Sequence, residues 1–155
     1  MNIAKLEIIK DYGKLSLNGY MYFRLTNWCG NIMYEIRGWK EDGEIPFDND
    51  IKFTKQELRH LYSLLKNAIN TTKLKTPARV MKKGGTVVKI FNHFGEIDSQ
   101  GVVRQFTYSD WGYGSKYDFR YWEQNYTDCW QGVRLTEEEC VNLVKILERE
   151  FHFGN

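Results

Sequence analysis

No stretch of this 155-residue chain approaches the roughly 20 consecutive apolar residues needed to cross a bilayer. Cysteine is scarce: Cys29, Cys129 and Cys140 are odd in number and show no CxxC spacing, so no disulfide framework can be read. The histidines His60, His93 and His152 stand singly, and no metal or cofactor is expected. A nucleophile–His–acid set and a Gly-rich phosphate loop are both missing, which argues against an enzyme. A dominant charge is lacking too, since the formal net charge is only +2. No global field therefore draws in a polyanion. Residues 1–10 alternate charged and apolar side chains without a signal-peptide hydrophobic region, and the expected location is cytoplasmic.

What the chain has in excess is aromatic surface. Aromatic residues make up 15% of it, with five Trp and ten Tyr. Either some rings are exposed for contact, or they fill a β-rich core, where aromatics pack well. Charge is uneven along the chain. Residues 71–85 carry five basic side chains (Lys73, Lys75, Arg79, Lys82 and Lys83) and no acidic one. Residues 86–155 carry seven basic and eleven acidic side chains. A nucleic-acid site would have to rest on stacking and a local basic face.

Self-comparison is more informative. Asn27-Trp28 matches Asp110-Trp111, and Tyr34-Glu35-Ile36-Arg37-Gly38-Trp39 matches Tyr117-Asp118-Phe119-Arg120-Tyr121-Trp122, both at an offset of 83. Ile51-Lys52-Phe53-Thr54 and Glu57 match Val133-Arg134-Leu135-Thr136 and Glu139 at an offset of 82. Near the start, Tyr12-Gly13-Lys14-Leu15 matches Phe94-Gly95-Glu96-Ile97 at 82. The chain is a tandem duplication.

Each unit reads as four strands and a helix. Residues 5–10 and 87–91 are first strands. The Tyr12-Gly13 and Phe94-Gly95 steps mark a tight turn or bulge before a short second strand. Residues 20–27 and 102–110 are third strands, and residues 32–40 and 116–123 are fourth strands. Thr54 and Thr136, followed three residues later by Glu57 and Glu139, are capping boxes that open helices. The Glu137-Glu138-Glu139 run complements the second helix dipole. Residues 71–85, ending Lys-Lys-Gly-Gly, read as a basic linker between a first repeat, 1–70, and a second, 86–155. About 70 residues make a marginal core. The expected fold is therefore α+β: two ββββα repeats with curved antiparallel sheets, packed as an intramolecular pseudo-dimer.

Strand alternation sorts the faces. Met21, Phe23 and Leu25 should point inward under the helix, as should Tyr34, Ile36, Tyr117, Phe119 and Tyr121. Tyr22, Arg24, Thr26, Trp28, Arg37 and Trp39 should point outward, with Gln105, Thr107, Ser109, Trp111, Lys116, Arg120 and Trp122 as their partners. Rings and guanidinium groups on a helix-free sheet face suit unpaired nucleic acid: bases stack at about 1–3 kcal/mol each, and cations meet phosphates. Lys82 and Lys83 of the linker would add charge. Two other readings stay open. Arg37 and Arg120 pair with Glu35 and Asp118 across neighbouring strands, or Trp39 and Trp122 plug an interface between units. A carbohydrate surface uses the same aromatic platforms.

The stretch Lys116-Tyr117-Asp118-Phe119-Arg120-Tyr121-Trp122, followed by Gln131-Gly132-Val133-Arg134-Leu135-Thr136-Glu137-Glu138-Glu139, resembles the YdbC-type relatives of positive cofactor four, a transcriptional coactivator family. Residues 87–150 cover one family unit and residues 6–69 a more diverged one. The resemblance implies a dimer of curved sheets that binds single-stranded DNA without catalysis, in transcription or DNA maintenance, with the transcription machinery as a further partner. It places the site aromatics on Trp28, Trp39, Trp111 and Trp122, and the site arginines on Arg37 and Arg120. The family's basic residue before the helix-opening Gly is replaced here by Gln131. The lysines of the third turn are replaced by Gly112 and Gly114. On this reading one chain, a monomer, carries its dimer internally. Pur-alpha-like proteins use a similar strand–helix repeat, which leaves RNA open. A protein-interaction module is the alternative class.

Overall fold

The computed structural model describes residues 6–99 and 102–154. It has two open antiparallel sheets, each followed by a helix. The first sheet is β1 (Leu6–Lys14), β2 (Met21–Trp28), β3 (Asn31–Lys40) and β4 (Ile45–Phe53), paired in sequence order. One 3₁₀ turn leads into α1 (Leu58–Asn70). The second sheet is β5 (Arg79–Lys83), β6 (Thr86–Ser99), β7 (Val102–Asp110), β8 (Ser115–Trp122) and β9 (Cys129–Leu135), also in order, and α2 (Glu137–Phe151) follows. No helix of the described residues is long and apolar enough to cross a membrane.

Three sequence expectations change. The glycine steps do not separate two strands; they are bulges inside β1 and β6, where register shifts fall between Asp11 and Lys14 and between His93 and Gly95. Gly13 and Gly95 take φ of +113° and +148°, and the extra residue bends each strand. At Gly95 a Cβ would also stand 2.5 Å from Leu64 Cδ2, so this glycine admits α1. The remaining strand of each unit is β4 or β9, directly before the helix. Ile45-Pro46-Phe47-Asp48 and Cys129-Trp130-Gln131-Gly132 lack alternation, which hid them; Pro46 is tolerated because β4 is a sheet edge. Finally, residues 71–85 are not all linker. Arg79–Lys83 is β5, joined to β6 by Gly84-Gly85 at φ of +56° and +87°, a two-residue hairpin turn. The second sheet thus has five strands.

The capping boxes form as expected. Glu57 Oε1 accepts from the Thr54 N–H at 2.8 Å, and Glu139 Oε1 from the Thr136 N–H at 2.9 Å. One hydrophobic cluster joins Phe23, Ile36, Phe53 and Leu65 of the first unit to Phe106, Phe119, Val133 and Leu147 of the second. Phe53 meets Phe119 edge-on at 5.2 Å. The helices pack on each other, and α1 also lies against β6. Phe151 of α2 reaches Tyr12 and Tyr34 of the first sheet at 5.5 and 5.4 Å. Burying each large apolar side chain contributes about 1.5–3 kcal/mol. Both units contribute side chains to that one cluster. Most of the aromatic excess is core.

Polar contacts close the junction where β4 lies against β9 and β8. Arg104, 4% exposed, donates to the Lys52 carbonyl at 2.7 Å and to Glu57 Oε1 at 2.9 Å. Burial alone would raise the Glu57 carboxyl, but hydrogen bonds from Arg104 and Thr54 and the Arg104 charge hold it below the usual carboxylate range. A carboxyl depressed in the folded state stabilises the fold fully above its unfolded pKa and loses that contribution as pH falls through the folded value. Thermal melts should therefore shift down between neutral pH and about pH 3. Glu57→Gln should remove part of that dependence and cost about 2 kcal/mol in urea unfolding at pH 7.

Candidate nucleic-acid interface

On the helix-free face of the second sheet, Lys116, Asp118 and Arg120 alternate along β8, with Gly132 and Arg134 beside them on β9. Asp118 is 2% exposed and accepts from two guanidinium groups. Arg120 donates through Nε and Nη2 at 2.8 and 2.7 Å, and Arg134 through Nη1 at 3.1 Å. Arg134 also donates to the Ser109 and Gly114 carbonyls. Burial draws its pKa below the ordinary arginine value; Asp118 opposes that shift and Arg120 adds to it. One carboxylate under two guanidiniums leaves a surplus positive charge, and Lys116, exposed, adds another. The Arg120 guanidinium stacks on Trp111, 3.7 Å from the ring centre. Asp110 accepts from the Gly112 and Gly114 N–H groups, shaping a turn that leaves Tyr113 91% exposed.

Tyr113, Lys116, Arg120, Gly132 and Arg134 form one wall of a groove of about 380 Å³ whose other wall is the first unit: Tyr20, Met21, Gly38, Phe47 and Asn49. Tyr20 and Phe47, both exposed, meet at 5.3 Å. They can lie there because residue 38 is glycine: a Cβ would stand 2.8 Å from Phe47 and 2.9 Å from Tyr20. The charged groups lining this groove are Lys116, Arg120 and Arg134, all basic. Among the described residues, Asp110 acts on Arg134 through its charge, and acids join the lining where the groove continues past Lys116, at Glu138 and Glu139.

The outward face expected on the first sheet is instead buried. Arg37, 1% exposed, donates to Glu35 at 2.8 and 3.2 Å, to Asp50 at 2.6 Å and to the Phe47 carbonyl at 2.7 Å. Burial alone would lower its pKa, but Glu35 and Asp50 outweigh that and raise it. Arg24 donates to the Gly43 carbonyl of the β3–β4 turn at 2.7 Å and is sandwiched between Tyr22 at 4.2 Å and Trp39 at 4.6 Å. The turn has curled back over the sheet, so these rings stack on the protein's own arginine. Tyr22, Arg24, Thr26, Arg37 and Trp39 are therefore corrected from outward to buried. Trp28 is half-buried beneath Lys52 at 5.4 Å.

The same correction applies to Gln105, Thr107, Ser109 and Trp122 in the second sheet. Trp122 belongs to a smaller cluster with Val88, Ile90, Val103 and Cys129. Tyr121, expected inward, is only half-buried and lies by the junction between the units. Of the anticipated site, Trp111, Lys116 and Arg120 come together. Lys82 and Lys83 lie elsewhere, on edge strand β5, where Lys83 pairs with Asp128. The arginine–acid pairing form of the alternative reading holds, along one strand rather than across two.

Sequence reasoning missed Tyr20, Phe47, Tyr113 and Arg134. The signal for Arg134 was present in the apolar-basic-apolar-Thr element that both repeats share. Nothing in the sequence brings Tyr20 and Phe47 to the second unit's basic face. Comparison with protein-family models, curated proteins and solved structures found no match for this chain.

Gly132 is what allows Arg120 to lie flat on β9, because a Cβ there would collide with Arg120 Cβ and the Phe119 carbonyl. Gly132→Ala should cost about 1–3 kcal/mol in urea unfolding. It should also unstack Arg120 from Trp111, seen as a change in Trp fluorescence.

Proposed function

We propose that this protein binds single-stranded nucleic acid, DNA foremost, in the groove between Tyr20 and Phe47 of the first unit and Tyr113, Lys116, Arg120 and Arg134 of the second. One observation carries the reading: three basic groups over a single buried carboxylate, set among three exposed aromatic rings. Phosphates meet the cations, and unstacked bases meet the rings. Duplex DNA keeps its base faces covered and offers the rings nothing. The resemblance to the positive cofactor four family points the same way, and a role as transcriptional coactivator, regulator or DNA-maintenance factor belongs to this proposal. So does the view of the two units as an internal pseudo-dimer, with the chain a monomer.

A protein-interaction role is favoured by a different feature. Trp130, 53% exposed, and Val102 line a hollow of about 870 Å³ in which Glu123 is the only charged lining residue among the described residues. Such a surface suits an uncharged partner rather than a phosphate chain.

Trp fluorescence titrated with oligothymidylate, a matching duplex and a glycan panel tests the proposal. The single strand should bind, and the duplex and glycans should bind weakly. Lys116→Ala should lower the slope of log affinity against log salt by about 0.7. Tyr113→Ala should cost about 1–3 kcal/mol of binding. Trp130→Ala should leave oligonucleotide affinity unchanged. Single-strand binding indifferent to Lys116→Ala and Tyr113→Ala would refute the assignment of the groove.

A further inference from the structure

The internal repeat implies a second groove related to the first; both have a volume of about 380 Å³, and they differ in the side chains that would meet an anionic strand. At the repeat offsets, Gly38 corresponds to Tyr121, Met21 to Arg104, Met33 to Lys116 and Asp50 to Gly132. The paired strands agree, since Met21 lies opposite Gly38 on β3 and Arg104 opposite Tyr121 on β8. The second groove accordingly has Met33, Lys52, Arg104 and Tyr121 in its lining.

The substitutions remove the room for two rings and neutralise the cations. Where glycine leaves room for two rings in the first groove, Tyr121 stands in the second, its hydroxyl accepting from the Lys52 N–H at 3.0 Å. Tyr121 and Val102 line both this groove and the hollow beside Trp130, and so stand where the two adjoin. Arg104 is tied to Glu57 and the Lys52 carbonyl. Lys52 lies 3.6 Å from Asp50, and Arg37 already pairs with Asp50 and Glu35. Here Glu35 and Asp50 pair with Arg37 and Lys52, and Asp48 adds its charge, whereas Asp118 is the carboxylate that pairs with Arg120 and Arg134, with Asp110 acting on Arg134 through its charge. Lys116 has only Met33 as its counterpart.

We infer that one repeat-related groove takes a strand and the other does not, because Tyr121 stands where Gly38 gives room for rings and the cations there are already paired, so that each chain binds one short single strand, oriented by the asymmetry. This rests on the proposed single-strand binding. The second unit supplies the phosphate contacts and the first supplies part of the stacking surface, so neither repeat is a complete site.

Native mass spectrometry and fluorescence titration with an oligothymidylate of about eight nucleotides decide it. The full chain should bind one equivalent, and Lys116→Met, a change at an exposed position, should weaken that binding at least about fivefold. Tyr121→Gly combined with Met33→Lys should raise the stoichiometry to two. Two equivalents on the unaltered chain would overturn the inference while leaving single-strand binding standing. One equivalent that survives Lys116→Met at full affinity would also overturn it, because the strand would then lie elsewhere. Absence of any oligonucleotide binding would overturn the functional proposal itself, and this inference with it.

Discussion

Asp118 sits at the foot of the second sheet's helix-free face, buried and shared by Arg120 and Arg134. A buried carboxylate must be paired, and here it is paired twice over. The pairing fixes two guanidiniums in place, and one positive charge is left in excess. Arg120 is further held by the Trp111 ring and by Gly132, which leaves its strand room to approach. A guanidinium fixed before a ligand arrives loses little side-chain entropy on binding. Rigidity and surplus charge thus come from one local arrangement.

The first sheet solves the same burial problem differently. Arg37 is enclosed by Glu35, Asp50 and backbone carbonyls, and Arg24 by two rings. Such a closed ladder stabilises the curled β3–β4 hairpin but presents no free charge. The two units share a fold and a repeated sequence, yet Asp50 on β4 stands where β9 has Gly132, and that extra carboxylate neutralises the first unit's cations. Duplication supplied two similar scaffolds; these positions make them unequal.

Much of the fold was legible in sequence. The capping boxes at Thr54 and Thr136 appear where threonine and glutamate at fixed spacing place them, because capping is local hydrogen bonding within one turn. The repeat was legible because matched Trp, Arg and Thr positions keep their order. Less legible were β4, β9 and β5, whose places depend on partners: Pro46 is acceptable only at an edge, and Lys82 and Lys83 form a strand because Gly84-Gly85 can turn back onto β6. The outward faces misled because alternation separates the two sides of a strand without saying which side water reaches. Curling of the first sheet buried Trp39, and a second small cluster buried Trp122.

The sequence by itself determined the duplication, the helix starts, the strand alternation and the set of cations and rings available, since each depends on neighbours along the chain or on simple periodicity. Only the tertiary structure decided which of those groups meet. Tyr20 and Phe47 reach Lys116, Arg120 and Arg134 because the two sheets abut along β4 and β9, and that contact joins residues far apart in the chain. Whether an arginine is spent on an internal acid or left facing a groove depends on the curvature of the sheet and on what lies across the junction. Neither leaves a mark in local sequence.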